Sequence, residues 1–142
     1  LFGWFGGPGL SATAVNMQTM GFEPGRPSAL TAGLSETTGA LIVAGIGTRT
    51  CAALGAAAMM SAVAVSRPRG FFAHDGGYEY PAILAVSCAA LTFTGAGALS
   101  IDARAPHPLD RTRTALALLV GTVSISSLVL RARTLRLAEN TR

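Results

Sequence analysis

Four apolar stretches dominate this chain, and each is long enough, or nearly long enough, to cross a lipid bilayer as a helix. They cover residues 28–48, 51–66, 81–99 and 114–130. At 1.5 Å of rise per residue, the first gives about 31 Å of helix and the last about 25 Å, against a hydrocarbon core of about 30 Å. The shorter stretches suffice if arginines at their ends extend their side chains toward water. The pattern predicts an all-α membrane protein, a bundle of four transmembrane spans.

The composition supports a membrane location for most of the chain. Half of the 142 residues are hydrophobic and 13% are charged, whereas a typical soluble domain is about a quarter charged. All 11 basic residues are arginine, and they lie singly or in small groups at the ends of the apolar stretches. That placement indicates membrane-flanking anchors and not a surface that follows nucleic-acid phosphates. We therefore expect membrane lipids as partners and no nucleic acid.

The segments between the spans indicate how the helices connect. A three-residue break at 48–50 predicts an antiparallel hairpin of the first two spans. Both spans are rich in glycine and alanine, which either lets helix backbones approach closely in lipid or reflects alanine bias alone. Before them, residues 10–20 predict a short interfacial helix or a loop, and residues 21–27 a turn. The tail 132–142 is basic and polar, with no core of its own.

The opening stretch LFGWFGGPG, residues 1–9, is typical of the end of a helix at a membrane interface. Trp4 and two phenylalanines lie beside glycines there, and aromatic residues concentrate at the two surfaces of a bilayer. We expect the rest of that first helix to lie upstream of Leu1.

Glu36 is the acidic residue that lies within a predicted span. It is about eight residues into the first span, so roughly 12 Å deep if that helix begins near Ser28. A lone carboxylate at that depth is costly and is by default a candidate functional site. It predicts either a proton-handling or hydrogen-bonding role, or a structural lock between one helix and its neighbours.

The longest polar connection, RPRGFFAHDGGYEYP at 67–81, collects most of the other reactive side chains. An imidazole, acids and phenols there could line the mouth of a ligand site, with His74, Tyr78, Glu79 and Tyr80 as the candidates. The alternative is an aromatic belt at the membrane interface with solvated charges. His74 has no second histidine at a metal-ligand spacing, so we predict no metal site. Cys51 and Cys88 lie in different spans at different depths, which favours two unpaired thiols.

Several blocks of sequence together resemble the DoxX family of small integral membrane proteins. They are MGF at 20–22, AGLSETTGALIVAGIGTR at 32–49, GFFAHDGGYEYP at 70–81 and GAGALSIDA at 95–103. The opening FGWFGGPG is similar to the end of that family's first helix. The resemblance divides the chain into a DoxX-like bundle at 1–103, with its first helix largely missing, and a second part at 104–142. That second part holds a connection, an extra C-terminal helix and the basic tail.

The resemblance also implies a cellular setting. DoxX-like proteins are similar to a subunit of a thiosulfate:quinone oxidoreductase, and in actinobacteria they are linked with membrane-associated oxidoreductase assemblies. It therefore implies a multi-pass protein of the bacterial plasma membrane, an accessory subunit of a redox complex that contacts other membrane subunits and a quinone or lipid. Together with the acid in the first span, it leads us to expect that Glu36 and the Tyr78–Tyr80 loop line a quinone or lipid pocket. No covalently bound cofactor is expected, and a structural or assembly subunit without catalytic activity is the alternative. The positions that match the family blocks are Glu36, Gly76, Gly77, Tyr78, Glu79, Tyr80 and Asp102.

Overall fold

The computed structural model describes residues 9–105, 108 and 111–139, and in them it contains α-helices and no strand. The predicted all-α class is confirmed. The predicted interfacial helix end at 1–9 lies almost wholly outside the described residues. Six α-helices are described: α1 (Gly9–Thr19), α2 (Gly25–Ala44), α3 (Thr48–Ser66), α4 (Glu79–Thr94), α5 (Ile101–Arg104) and α6 (Thr112–Glu139).

Two helices begin earlier than their prolines predict, and for the same reason. α2 begins at Gly25, not Ser28, and α4 begins at Glu79, not Pro81. In each case the proline occupies the third helical position. Its missing N–H costs nothing there, because the first four N–H groups of a helix have no partner within the helix. The predicted turn at 21–27 is correspondingly shorter. Of the predicted helix or loop at 10–20, residues 10–19 are helical and belong to α1.

The break between α2 and α3 lies at residues 45–47, so the predicted break at 48–50 is wrong. Gly45 and Gly47 both adopt left-handed backbone conformations, with φ of 68° and 57°, which side chains other than glycine disfavour. A Cβ at Gly45 would also collide with Ser100. The two glycines, separated by one residue, therefore reverse the direction of the chain. Arg49 is part of the first turn of α3.

The last two predicted spans also have different ends. α4 stops at Thr94, because Gly95 turns the chain away, and does not reach residue 99. α6 runs for 28 residues to Glu139, so the tail continues the helix as far as that residue. Its last turns contact the α1–α2 turn: Arg133 Nε donates to the Met20 carbonyl at 2.7 Å and Arg136 Nη1 to that of Glu23 at 3.0 Å.

The helices α2, α4 and α6 pack against α3, α1 packs against α2, and small residues make the contacts. The buried apolar side chains are alanines and Cys51, while the largest fully buried side chains are Thr48 and Thr92. Large apolar side chains point outward instead, among them Val43 and Leu99, both 90% exposed. A water-soluble domain buries its large apolar residues. Small residues inside and large ones outside suit a bundle whose solvent is lipid, where close backbone approach drives association.

Two described helices are long and apolar enough to cross a membrane: α3 together with the 3-10 turn that follows it, Thr48–Arg69, and α6 over Thr112–Ala138. In the first, 44% of the apolar window is buried by the rest of the chain, and in the second 6%, so α3 is central and α6 peripheral. α4 is apolar but has 16 residues. α2 is long enough, but its hydroxyl residues and Glu36 lower its hydropathy. The fold is that of an all-α membrane protein. Two of the four predicted spans, α3 and α6, are both long enough and apolar enough to cross a membrane.

Candidate functional site

The connection between α3 and α4, residues 67–78, is an ordered loop that folds back on itself. It contains two short 3-10 turns, Arg67–Arg69 and Ala73–Asp75. Backbone hydrogen bonds close it, since Tyr78 N donates to the Gly70 carbonyl at 3.2 Å and Glu79 N to that of Phe71 at 2.9 Å. Gly77 sits at the crossing, where an added Cβ would lie 2.6 Å from the Phe71 carbonyl carbon. Only glycine fits where these two segments of the loop cross.

Four aromatic rings of this loop contact one another in a row. The Phe71 ring meets Phe72 on one side, at 5.5 Å between centroids, and Tyr78 on the other, at 5.4 Å, both nearly perpendicular. Phe72 in turn lies 5.6 Å from the His74 ring. Perpendicular ring pairs at such distances are favourable contacts. Phe71 and Phe72 are nevertheless half exposed or more, so the row forms an apolar surface at the end of the bundle.

Four of the five predicted site residues lie in or beside this loop. The Glu79 carboxylate accepts from Ala73 N at 3.1 Å, which fixes the second 3-10 turn. His74 Nε2 lies 3.1 Å from the Asp75 carboxylate, and the His74 side chain is 75% exposed. Tyr80 is 65% exposed. The structure thus groups His74, Tyr78, Glu79 and Tyr80 at one end of the bundle, with an imidazole and a phenol reaching outward.

Glu36, the fifth predicted residue, lies elsewhere and is exposed, not buried among the helices of this chain as expected. The level of Glu36 along the bundle follows from Thr38, two residues further along α2. Thr38 lies beside Gly55 of α3, since a Cβ added at Gly55 would be 3.8 Å from Thr38 Oγ1. Gly55 lies near the middle of the span of α3. By helix rise Glu36 is then about 15 Å from the start of the loop at Arg67. Among the described residues, Glu36 and the loop tyrosines therefore lie in different parts of the bundle.

A second polar site lies at the opposite end of the bundle, where α5 meets the α2–α3 break. Asp102 is 6% exposed, and its two carboxylate oxygens accept from Gly47 N at 2.7 Å and Thr48 N at 2.8 Å. Its own N–H donates to the Gly45 carbonyl at 2.8 Å. A carboxylate at a helix N-terminus satisfies otherwise unpaired N–H groups and complements the helix dipole. We call this arrangement the Asp102 junction.

Arg49 extends the Asp102 junction to α4. Its guanidinium donates to the carbonyls of Thr92, at 3.2 Å, of Phe93, and of Thr94, at 3.1 Å. These are the last carbonyls of α4, which have no partner within their own helix. Two charged side chains therefore cap two helix ends: Asp102 caps the start of α3, and Arg49 caps the end of α4. In the sequence, Asp102 stands out only as part of the SIDA block, which resembles the family pattern. That resemblance does not indicate which groups Asp102 contacts.

Comparison with known proteins identifies the family. The family model for DoxX matches residues 1–75, which is more than half of the chain. The chain belongs to the DoxX family. Its matched part includes Glu36 and ends within the aromatic loop, so Tyr78–Tyr80 and Asp102 of this DoxX protein lie beyond the match. No curated protein and no solved structure matches the chain.

Proposed function

We propose that this DoxX protein is a multi-pass accessory subunit of a redox complex in the bacterial plasma membrane. In this proposal the aromatic loop contacts a quinone or lipid head group at the membrane interface. The observation that carries it is the row of exposed rings in the loop, with the His74 imidazole and the Tyr80 phenol beside it. The redox part of the proposal comes from the family resemblance.

The chemistry of the loop fits such a ligand. A quinone head group is a flat ring with two carbonyl acceptors, so it needs an apolar surface and hydrogen-bond donors near it. The Phe71 and Phe72 rings supply the surface, and the Tyr80 hydroxyl supplies a donor. The second ring nitrogen of His74, whose Nε2 lies against Asp75, supplies a further polar contact. Lipid head groups need the same donors, and aromatic residues are enriched at that depth. The loop is held by its own hydrogen bonds, so little ordering remains to be done on binding.

The test measures quinone-coupled electron transfer in membranes that contain the full chain. Tyr80→Phe removes the hydroxyl and keeps the ring, and His74→Ala removes the imidazole. We expect each variant to lower the activity several-fold at unchanged protein level. Phe93→Leu is the matched control, because Phe93 is 59% exposed on α4 and outside the loop. Unchanged activity in both loop variants would refute the head-group contact.

A second candidate, a structural or assembly subunit without chemistry, is favoured by the exposed apolar surface of the bundle. Side chains such as Val43, Ile83 and Val120 point outward from three different helices. Purification from native membranes in mild detergent separates the two candidates. A stable complex with larger subunits whose activity survives both loop substitutions supports assembly, whereas a complex that loses quinone-coupled activity with them supports the first proposal.

A further inference from the structure

A cavity lies where the α1–α2 turn meets the last turns of α6. Its volume is about 360 Å³, and it is lined by Gln18 from α1, Glu23 and Pro24 from the turn, and Arg136 from α6. All four side chains are exposed, so the cavity is open to the outside of the bundle. None of the four belongs to the aromatic loop, so the cavity is a different surface from the one discussed above.

Two walls of the cavity are held in place by contacts within the chain. Gly25, the first residue of α2, is buried against α1 and has no room for a Cβ, which would collide with the Ala14 carbonyl and with Gln18 Cγ. Across the cavity, Arg136 Nη1 donates to the Glu23 carbonyl at 3.0 Å. Gln18 and Arg136 are therefore positioned before a ligand arrives, which lowers the entropy that binding costs.

Two opposite charges face this cavity without pairing with each other. Arg136 donates to the backbone carbonyl of Glu23, whereas within the described part of the chain the Glu23 carboxylate takes part in no ion pair or hydrogen bond. The other N–H groups of the Arg136 guanidinium and the Gln18 amide are donors suited to a phosphate, and the Glu23 carboxylate accepts from a cation. A ligand that carries both charges fits this arrangement.

The segments of the chain outside the described residues do not supply both charges. Residues 1–8 contain no charged side chain, and residues 140–142 contain one arginine and no acid. A first helix upstream of Leu1 would be an apolar span that ends in the aromatic and glycine residues of the opening stretch. The charge pattern of the cavity is therefore matched better by a zwitterionic molecule than by these segments.

The cavity lies at the level of the lipid head groups. The apolar run of α6 ends at Leu130, and Arg136 is about 9 Å of helix beyond it. Val15, one turn before Gln18 on the same side of α1, is 59% exposed and gives an apolar surface beside the cavity. A phospholipid places its phosphate just outside the hydrocarbon core and its acyl chains along apolar side chains. A lipid can thus reach the cavity from within the bilayer.

We propose that the cavity defined by Gln18, Glu23, Pro24 and Arg136 binds the head group of a phospholipid with a primary ammonium, such as phosphatidylethanolamine. Its phosphate accepts from Arg136 and the Gln18 amide, and its ammonium donates to the Glu23 carboxylate. A glycerol head group has no cation for Glu23, and the quaternary ammonium of choline has no N–H to donate. The site therefore prefers ethanolamine head groups. This inference does not depend on the proposed redox role.

The test measures lipid binding to the full chain in mild detergent by native mass spectrometry. Phosphatidylethanolamine, phosphatidylglycerol and phosphatidylcholine with the same acyl chains are titrated separately. We expect the first to bind about five-fold more tightly than the other two, which is the scale of one exposed charge pair. Soluble phosphoethanolamine distinguishes a lipid from a free phosphate ester as the ligand. It lacks acyl chains, so it should compete only at about a hundred-fold higher concentration than the lipid.

Substitutions then assign the preference to the cavity. Glu23→Gln keeps the carbonyl that Arg136 contacts, and it should bring the three affinities within about two-fold of one another. Glu23→Lys should favour phosphatidylglycerol instead. Arg136→Gln should weaken binding of all three lipids, and Arg136→Lys should restore part of it because the charge remains. Arg131→Gln and Asp75→Asn are the matched controls and should keep the preference, since both side chains are exposed at the same end of the bundle and do not line the cavity.

Four results would overturn the proposal. The first two are equal affinity for the three head groups in the unaltered chain, and a preference that Glu23→Gln does not change. The third is soluble phosphoethanolamine binding as tightly as the lipid, which would make a free phosphate ester the ligand. The fourth is lipid binding that appears only after removal of residues 140–142, which would make the tail the occupant. A preference lost in Tyr80→Phe and kept in Glu23→Gln would likewise move the lipid to the aromatic loop and refute this site.

Discussion

Asp102 shows how much a single side chain does in this fold. Its carboxylate accepts from two backbone N–H groups at the start of α3, and it is almost completely buried. Removal of the carboxylate in Asp102→Ala leaves these N–H groups buried without partners, which we expect to cost about 1–3 kcal/mol. Thermal unfolding in detergent should show a lower midpoint for Asp102→Ala and an intermediate one for Asp102→Asn, since the amide keeps one acceptor oxygen.

Asp75→Ala is the control for that measurement, because Asp75 is exposed and lies at the other end of the bundle. Equal midpoints for Asp75→Ala and Asp102→Ala would show that the cap contributes nothing to stability. The sequence could not single out Asp102 as a cap, because the helix that it caps begins 54 residues earlier in the chain. Local capping patterns, in contrast, lie within one turn of the residue they satisfy.

At the scale of the helices, Gly55 lies where α2, α3 and α4 meet. A side chain there would first meet the Cys88 sulfur and the Thr38 hydroxyl. We expect Gly55→Val to push the helices apart and destabilise the bundle by about 1–3 kcal/mol. Gly121→Val on α6 is the matched control, since a Cβ at Gly121 has open space around it. Chemical or thermal unfolding in the same detergent compares the two, and equal stability would contradict close packing at Gly55.

The end of α6 offers a second prediction at this scale. Arg133 and Arg136 donate to carbonyls of the α1–α2 turn, and the Arg133 guanidinium lies 5.4 Å from the centre of the Phe22 ring. The double variant Arg133→Gln, Arg136→Gln loses these charge-assisted contacts. Hydrogen exchange in lipid nanodiscs should then be faster in the last two turns of α6, by about ten-fold. Arg131→Gln, at an exposed position before this contact, should leave exchange unchanged; equal exchange in both variants would refute the docking.

At the scale of the whole molecule, the sequence predicted the fold class better than its interior. The length and hydropathy of the apolar stretches suffice to predict a helical membrane protein, because both can be read directly from the composition along the chain. They do not say which side of a helix faces inward. In α2 and α3, alanine, glycine and threonine occur on every side, so the sequence could not show that Glu36 faces outward. The position of the break is also wrong, because the prediction relies on the charge of Arg49. The structure places the break at Gly45 and Gly47, whose backbones can adopt the left-handed conformation.

The arrangement of α3 and α6 fixes which parts of the chain share a side of the membrane. α6 begins near the Asp102 junction and ends against the α1–α2 turn, so it runs in the same direction as α3. The aromatic loop and the α1–α2 turn therefore lie at one end, and α5 and the start of α6 at the other. Single cysteines at Glu23, His74, Arg104 and Arg111, in a chain with Cys51→Ser and Cys88→Ala, report this by labelling with a membrane-impermeant maleimide.

We expect the cysteines at 23 and 74 to react from one side of sealed vesicles, and those at 104 and 111 only from the other side or after permeabilisation. All four native residues are exposed, so a lack of labelling reflects the membrane and not burial in the bundle. Labelling after detergent addition controls for the reactivity of each thiol. If the cysteines at 74 and 111 react from the same side of intact vesicles, α3 and α6 do not both cross the membrane, and the exposed apolar surface of α6 must be covered by protein instead of lipid.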